Sequence, residues 1–302
     1  MEEVMKKAAP FFILAAGSLW GCMGILVRSL NKIGLESMEV VAVRAFVTFF
    51  CMAAGLFFID RRAFRIHLKD LWCFLGTGVC SIVFFNYCYF RTISLTSLST
   101  AAILLYTAPS IVMVLSAVLF KERFTLKKAA ALALTFLGCV LVTGGPGTAS
   151  GLSAAGILTG LGAGLGYALY SIFGRYAIMK GYSSLTITLW TFGMASVGVL
   201  PFVSLPGIGS CFTGGAGAMG TALFWIFVTT VAPYILYTAG LSHMETGVAS
   251  VISSIEPVVA TFVGVLLYGE RISLQGGMGV VLVVGAIAMV HLIGVGRDEK
   301  KE

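Results

Sequence analysis

Ten apolar segments, each about as long as a bilayer is thick, follow one another along this chain with only short loops between them. They run over residues 9–30, 38–59, 71–91, 97–120, 126–143, 152–176, 185–205, 218–241, 247–268 and 274–294. A helix that spans a membrane needs about 20 mostly apolar residues. Hydrocarbon offers no partner to a free backbone N–H or C=O, so each segment must satisfy its own backbone, and a helix does so. Composition agrees: 58% of the residues are hydrophobic and 11% are charged, against roughly 25% charged in soluble domains. A mean hydropathy of +0.99 is too high for one globular core to hide. The expectation is an all-α membrane protein with ten transmembrane helices. The first segment continues through Trp20 and Met23 with no small-residue cleavage site, so it reads as a span and not as a signal peptide.

The net charge of +7 does not point to nucleic acid, because the basic residues lie in short loops and not along one face. They report topology instead. With the N-terminus inside, the inner loops and termini hold 15 Lys and Arg residues and the outer loops hold four, namely Arg28, Lys32, Arg91 and Arg271. The remaining one, Arg44, falls within a span. A bias of this size predicts cytoplasmic termini in an inner or plasma membrane. The uncharged loop 206–217 is then outside, and the charged tail 295–302 is cytoplasmic.

The chain also repeats itself. Tyr106-Thr107-Ala108-Pro109 through Lys121-Glu122-Arg123 matches Ser254-Ile255-Glu256-Pro257 through Gly269-Glu270-Arg271, 148 residues further on. Each half therefore holds five predicted spans, over 9–145 and 152–294. Five is odd, so the halves must insert with opposite topology, a plan common among secondary transporters that bind substrate near the midplane between the repeats.

Those paired motifs, a proline, an apolar helix, a Glu-Arg turn and a Gly-rich helix in each half, resemble the EamA family of the drug/metabolite transporter superfamily. The resemblance covers both repeats and implies ten helices as two inverted five-helix repeats, a central cavity and alternating access. It does not imply one solute, since members carry very different ones.

No catalytic cluster, metal-ligand spacing or nucleotide loop is present. The sequence lacks H-E-x-x-H, G-x-S-x-G and the Walker pattern, and the run Gly160–Gly166 fails G-x-G-x-x-G because Leu165 takes the third glycine position. No cofactor and no metal are expected. Gly156, Gly160 and Gly164 form a helical stripe suited to close packing. The cysteines read as small apolar residues.

Two ionisable residues lie within spans, Arg44 and Glu256. Such groups are costly and usually face the bundle interior. Their repeat counterparts are Trp190 and Ala108, so the scaffold is built once without either charge. Arg44 lies about six residues from one surface and Glu256 about nine from the other, or roughly 9 Å and 13–14 Å of helix, which puts them at similar depth. Pro257 and Pro109 each free a carbonyl one turn back, opening backbone acceptors to a cavity. The expected substrate-binding set is Glu256, Arg44, Tyr106, Trp190, Trp20, Asn86, Tyr167 and Tyr234, with helix breaks at Pro109 and Pro257. Arg44 and Glu256 are expected to pair in the empty site and to part around a zwitterion. The most favoured function is secondary transport of an amino acid-like or amine solute, coupled to a proton or another ion, by a monomer or homodimer. An organic-cation or multidrug carrier of the same fold and a non-transporting receptor or scaffold remain as alternatives, while the lack of a catalytic cluster speaks against a membrane enzyme.

Overall fold

The structure, a computed structural model, describes residues 2–144, 153–211 and 216–298, without the side chains of residues 2, 207, 210–211, 216–218 and 291–298. The expected turn at Gly145-Pro146-Gly147, the side chains of Cys211 and His291, and the last residues of the tail lie outside this description. Among the described residues every regular element is helical. Eight helical segments are long and apolar enough to cross a membrane: Glu3–Lys32, Ser37–Ile59, Leu68–Leu95, Leu98–Leu119, Ala154–Met179, Ser184–Phe202, Met219–Leu241 and Thr246–Tyr268. Two further apolar helical segments are shorter, Leu126–Val142 with 17 residues and Leu274–Val290, the part of the last helix whose side chains are described.

Several of these segments are assembled from pieces. The first comprises α1 (Glu2–Gly21) and α2 (Met23–Lys32), which meet at Cys22. It begins earlier than the sequence suggested, because Glu3 and Lys7 pair across one exposed turn at 3.1 Å and carry the helix beyond its apolar part. Then come α3 (Ser37–Ile59), α4 (Leu71–Leu75) and α5 (Phe84–Leu95), with the π-helical stretch Gly76–Val83 joining the last two. The N-terminal half ends with α6 (Leu98–Leu105), α7 (Ala108–Leu119) and α8 (Leu126–Val142).

In the C-terminal half α9 (Ala154–Met179) precedes α10 (Ser184–Val199), which ends short of its expected limit in a 3-10 turn containing Pro201. The expected 206–217 loop carries a short helix, α11 (Leu205–Cys211). Next are α12 (Ala216–Ile226) and α13 (Ala232–Leu241), joined by the π-helical stretch Phe227–Val231. The chain closes with α14 (Thr246–Ser253), α15 (Glu256–Tyr268) and α16 (Leu274–Asp298).

The 148-residue offset reappears as geometry. The gap between α6 and α7 at Tyr106-Thr107 matches that between α14 and α15 at Ser254-Ile255. Phe227–Val231 matches the second part of Gly76–Val83. The amide of Glu122 donates to the Ser116 carbonyl as that of Glu270 does to the Gly264 carbonyl. Both turns need a left-handed residue just before the glutamate, Gly269 at φ 67 in one half and Lys121 at φ 56 in the other.

Close helix approach follows small residues. The stripe Gly156, Gly160 and Gly164 lies against Thr96, Leu104 and Thr107, and a β-carbon on Gly164 would stand 2.5 Å from the Thr107 hydroxyl oxygen. Helices α8 and α16 pack along one another, with Gly138 and Gly279 so close that neither can carry a side chain unaided.

Candidate functional site

Residues at both helix breaks line one interior cavity. Pro257 sits in the first turn of α15 and Pro109 in that of α7, where a missing N–H costs nothing. At the breaks the amides of Tyr106, Thr107, Ser254 and Ile255 bond to carbonyls of the helix that has just ended. Glu256 is the first residue of α15, and its carboxylate accepts a hydrogen bond from the Tyr167 hydroxyl of α9 at 3.0 Å.

Two adjoining cavities open here, and Tyr167 and Ser171 line both. One lies between Tyr106, Pro109, Tyr167 and Glu256, with a serine floor of Ser250, Ser253 and Ser254. The other is walled by Trp20, Phe85, Tyr167, Tyr170, Tyr234 and Tyr237, with Ser81 from the π-helical stretch. Both are narrow, and a water-sized sphere could move through only a small part of that space.

The aromatic wall is built edge to face. Trp20 lies 5.2 Å from Tyr234, 5.3 Å from Tyr237 and 6.2 Å from Tyr167 between ring centres. Such contacts fix ring orientation beyond what area alone would do. Two hydroxyls are held: Tyr170 shares a 2.8 Å bond with Thr238, and Tyr237 a 2.7 Å bond with Ser171. The buried indole N–H of Trp20 has no partner among the described residues. A buried donor without an acceptor is costly, and this one belongs to a cavity wall.

Arg44 is placed differently from the expectation. Its Nε donates to Thr230 Oγ1 at 3.1 Å, in the second π-helical stretch, and it makes no ion pair with Glu256 among the described residues. Each group has a neutral hydroxyl partner from the C-terminal half, so neither charge needs the other in this conformation. Arg44, Tyr234 and Glu256 nevertheless lie close enough to interact electrostatically.

Of the expected residues, Glu256, Tyr106, Tyr167, Trp20, Tyr234 and Pro109 line the two cavities, and Pro257 is the second residue of α15. Trp190 and Asn86 do not line them. Trp190 packs against Phe74, 6.4 Å between ring centres, in clusters with Cys73, Ile187 and Leu189. Asn86 turns back along its own helix, its side-chain amide donating to the Ile82 carbonyl at 2.8 Å. The serine floor was missed, although Ser250, Ser253 and Ser254 fall at i, i+3 and i+4 just before Glu256, one helix face. Phe85 and Ser81 carried no sequence signal of their own.

With this geometry the comparisons with known proteins can be placed. The profile of the EamA-like transporter family matches residues 7–144 and again 154–292. This chain belongs to the EamA-like transporter family. A curated relative from Archaeoglobus fulgidus, described as an uncharacterized transporter, is 28% identical over 91% of this chain and 93% of its own length. The uncharacterized inner membrane transporter YicL of Salmonella typhimurium is 22% identical over 93% of this chain and 94% of its own. The uncharacterized transporter YxxF of Bacillus subtilis is 24% identical over 96% and 91%. A solved crystal structure superposes with a TM-score of 0.77 at 17% identity, covering 95% of this chain and 98% of that one. That likeness concerns the fold. Family and apolar helices together make this EamA protein a multi-pass membrane protein of transporter type.

Proposed function

We propose that this EamA protein is a secondary transporter for a small organic solute bearing both a cationic and an anionic group, such as an amino acid. The observation that carries the reading is Glu256, a carboxylate at a helix break in the bundle interior, beside an aromatic wall and within electrostatic range of Arg44. Glu256 and the ring faces of Trp20 and Tyr234 would take the cation. Arg44 would take the anion, and the unpartnered Trp20 N–H supplies a further donor. Glu256 also suits proton coupling, because an intramembrane carboxylate is the usual element of a proton relay. The bilayer and the solute are the partners in this reading, and the protein works as a monomer or homodimer.

The architecture proposed with it has ten spans, the eight long segments plus α8 and α16, in two inverted repeats over 9–145 and 152–294. The matched helix breaks, the matched π-helical stretches and the double family match support it. Both termini are assigned to the cytoplasm of an inner or plasma membrane on the Lys and Arg distribution.

Thermal unfolding of purified protein against zwitterionic amino acids, quaternary amines and simple carboxylates tests the solute class. A zwitterion should stabilise the wild type, and both Glu256→Gln and Arg44→Gln should lose that shift. The aromatic wall favours one second reading, an organic-cation carrier. In that case quaternary amines stabilise the protein and Arg44→Gln leaves the effect intact. No shift with any of the three classes would count against both readings.

A further inference from the structure

The two Glu-Arg turns share one backbone shape but not one set of partners. At one end of the bundle, the Glu122 carboxylate accepts the N–H of Thr246 at 2.7 Å and that of Gly247 at 3.1 Å. These are the first two amides of α14, so a side chain from the N-terminal half caps a broken helix of the C-terminal half. Around this contact α14 lies on α7, Lys128 of α8 pairs with Glu245, and Arg175 donates to the carbonyls of Leu241 and Met244. That end is shut.

At the other end the equivalent residues are Glu270 and the first amides of α6, those of Leu98 and Ser99. They are apart. Glu270 pairs with Arg28 at 3.0 Å, both side chains being half-exposed, and Arg28 stacks over Tyr268 at 3.8 Å. Helix α6 is capped by its own Ser97, whose Oγ accepts the Thr100 N–H. Helices α6 and α15 lack the packing that α14 and α7 have, although α1 and α9 pack on their neighbours alike in both halves.

We propose that Glu122 and Glu270 are alternating latches of the transport cycle, positioning residues that each close one end of the cavity by capping a broken helix of the opposite half. In the conformation seen here Glu122 is engaged, and Glu270 is parked on Arg28. In the opposite conformation Glu270 leaves Arg28 for the N–H groups of Leu98 and Ser99, and Glu122 releases Thr246 and Gly247. By the Lys and Arg distribution, the shut end is the cytoplasmic one. The proposal rests on the transport reading, but its test needs no solute, so it stands or falls apart from the choice of solute.

The test is amide hydrogen exchange on the detergent-purified full chain. In the wild type, Thr246 and Gly247 should be protected, and Leu98 and Ser99 should exchange fast. Glu122→Ala should speed exchange at Thr246 and Gly247 and, by shifting the population, slow it at Leu98 and Ser99, each by roughly tenfold. The double variant Glu122→Ala/Glu270→Ala should lose the slowing at Leu98 and Ser99 while keeping the faster exchange at Thr246 and Gly247. Glu122→Asp, which keeps the carboxylate, should restore most of the wild-type pattern. A purely structural cap predicts local deprotection in Glu122→Ala with no change 148 residues away, and that result would overturn the proposal. So would slowing at Leu98 that survives in the double variant.

Discussion

The Tyr167 hydroxyl donates to the Glu256 carboxylate at 3.0 Å, so the first helix of the C-terminal half is tied to that half's own broken helix at the point where both cavities meet. This bond is the only one the described residues give that carboxylate, and its loss should be measurable. Tyr167→Phe should lower stability by about 1 kcal/mol, the cost of losing a hydrogen bond to a part-buried carboxylate. The same change in a Glu256→Gln background should cost clearly less, because the carboxylate is gone. Thermal unfolding of the four proteins in one detergent gives the coupling, and strict additivity would show that the two side chains do not depend on each other.

The glycine stripe gives a steric prediction. A β-carbon on Gly164 would stand 2.5 Å from Thr107 Oγ1 and 3.0 Å from the Leu104 carbonyl oxygen. Gly164→Ala must push α9 away from the α6–α7 break, at about 1–3 kcal/mol. Gly55, in the middle of α3 with open space around it, is the control. There alanine should be neutral or stabilising by up to about 1 kcal/mol. Unfolding midpoints of the two variants should therefore move in opposite directions or by very different amounts.

Lys128 is almost wholly buried, with its ammonium on Glu245 and on the Arg123 carbonyl oxygen. Removing one partner of a buried pair is expensive, about 3–5 kcal/mol. Glu245→Gln, which strands the buried ammonium, should approach that range, and Lys128→Met/Glu245→Gln should recover much of the loss, since Glu245 itself is 35% exposed. Equal unfolding midpoints for the single and double variants would mean that the pair contributes through packing alone.

Orientation is checked at Cys211, at the end of α11. A membrane-impermeant maleimide should label it in intact cells from outside, and tags on either terminus should be reached only after the membrane is opened. Labelling of Cys211 from the cytoplasmic side alone would reverse the assignment.

Much of the frame was legible because its causes are local. Apolar length sets the spans, and Pro109 and Pro257 broke their helices where their missing N–H groups required. Glu256 was legible by its cost in a membrane. What escaped was rotational. Helix α10 is apolar on nearly every face, so no pattern told which way Trp190 would point, and it points into packing. Asn86 found an acceptor one turn back, as amide and hydroxyl side chains in helices commonly do. The π-helical stretches left no mark either, since no residue type announces a widened turn. Yet they bring Ser81 to the cavity and Thr230 to Arg44. The different partners of Glu122 and Glu270 were beyond reach for another reason: matching motifs do not tell which groups each turn meets in the folded chain.

The widened turns have a historical consequence. A π turn holds one residue more than the α turn it replaces, and here the two stretches end 148 residues apart, at Val83 and Val231. Such matching defects arise most simply from one inherited insertion and not from two independent ones. The extra residue then belongs to the repeat unit itself, which the family profile matches twice along this chain.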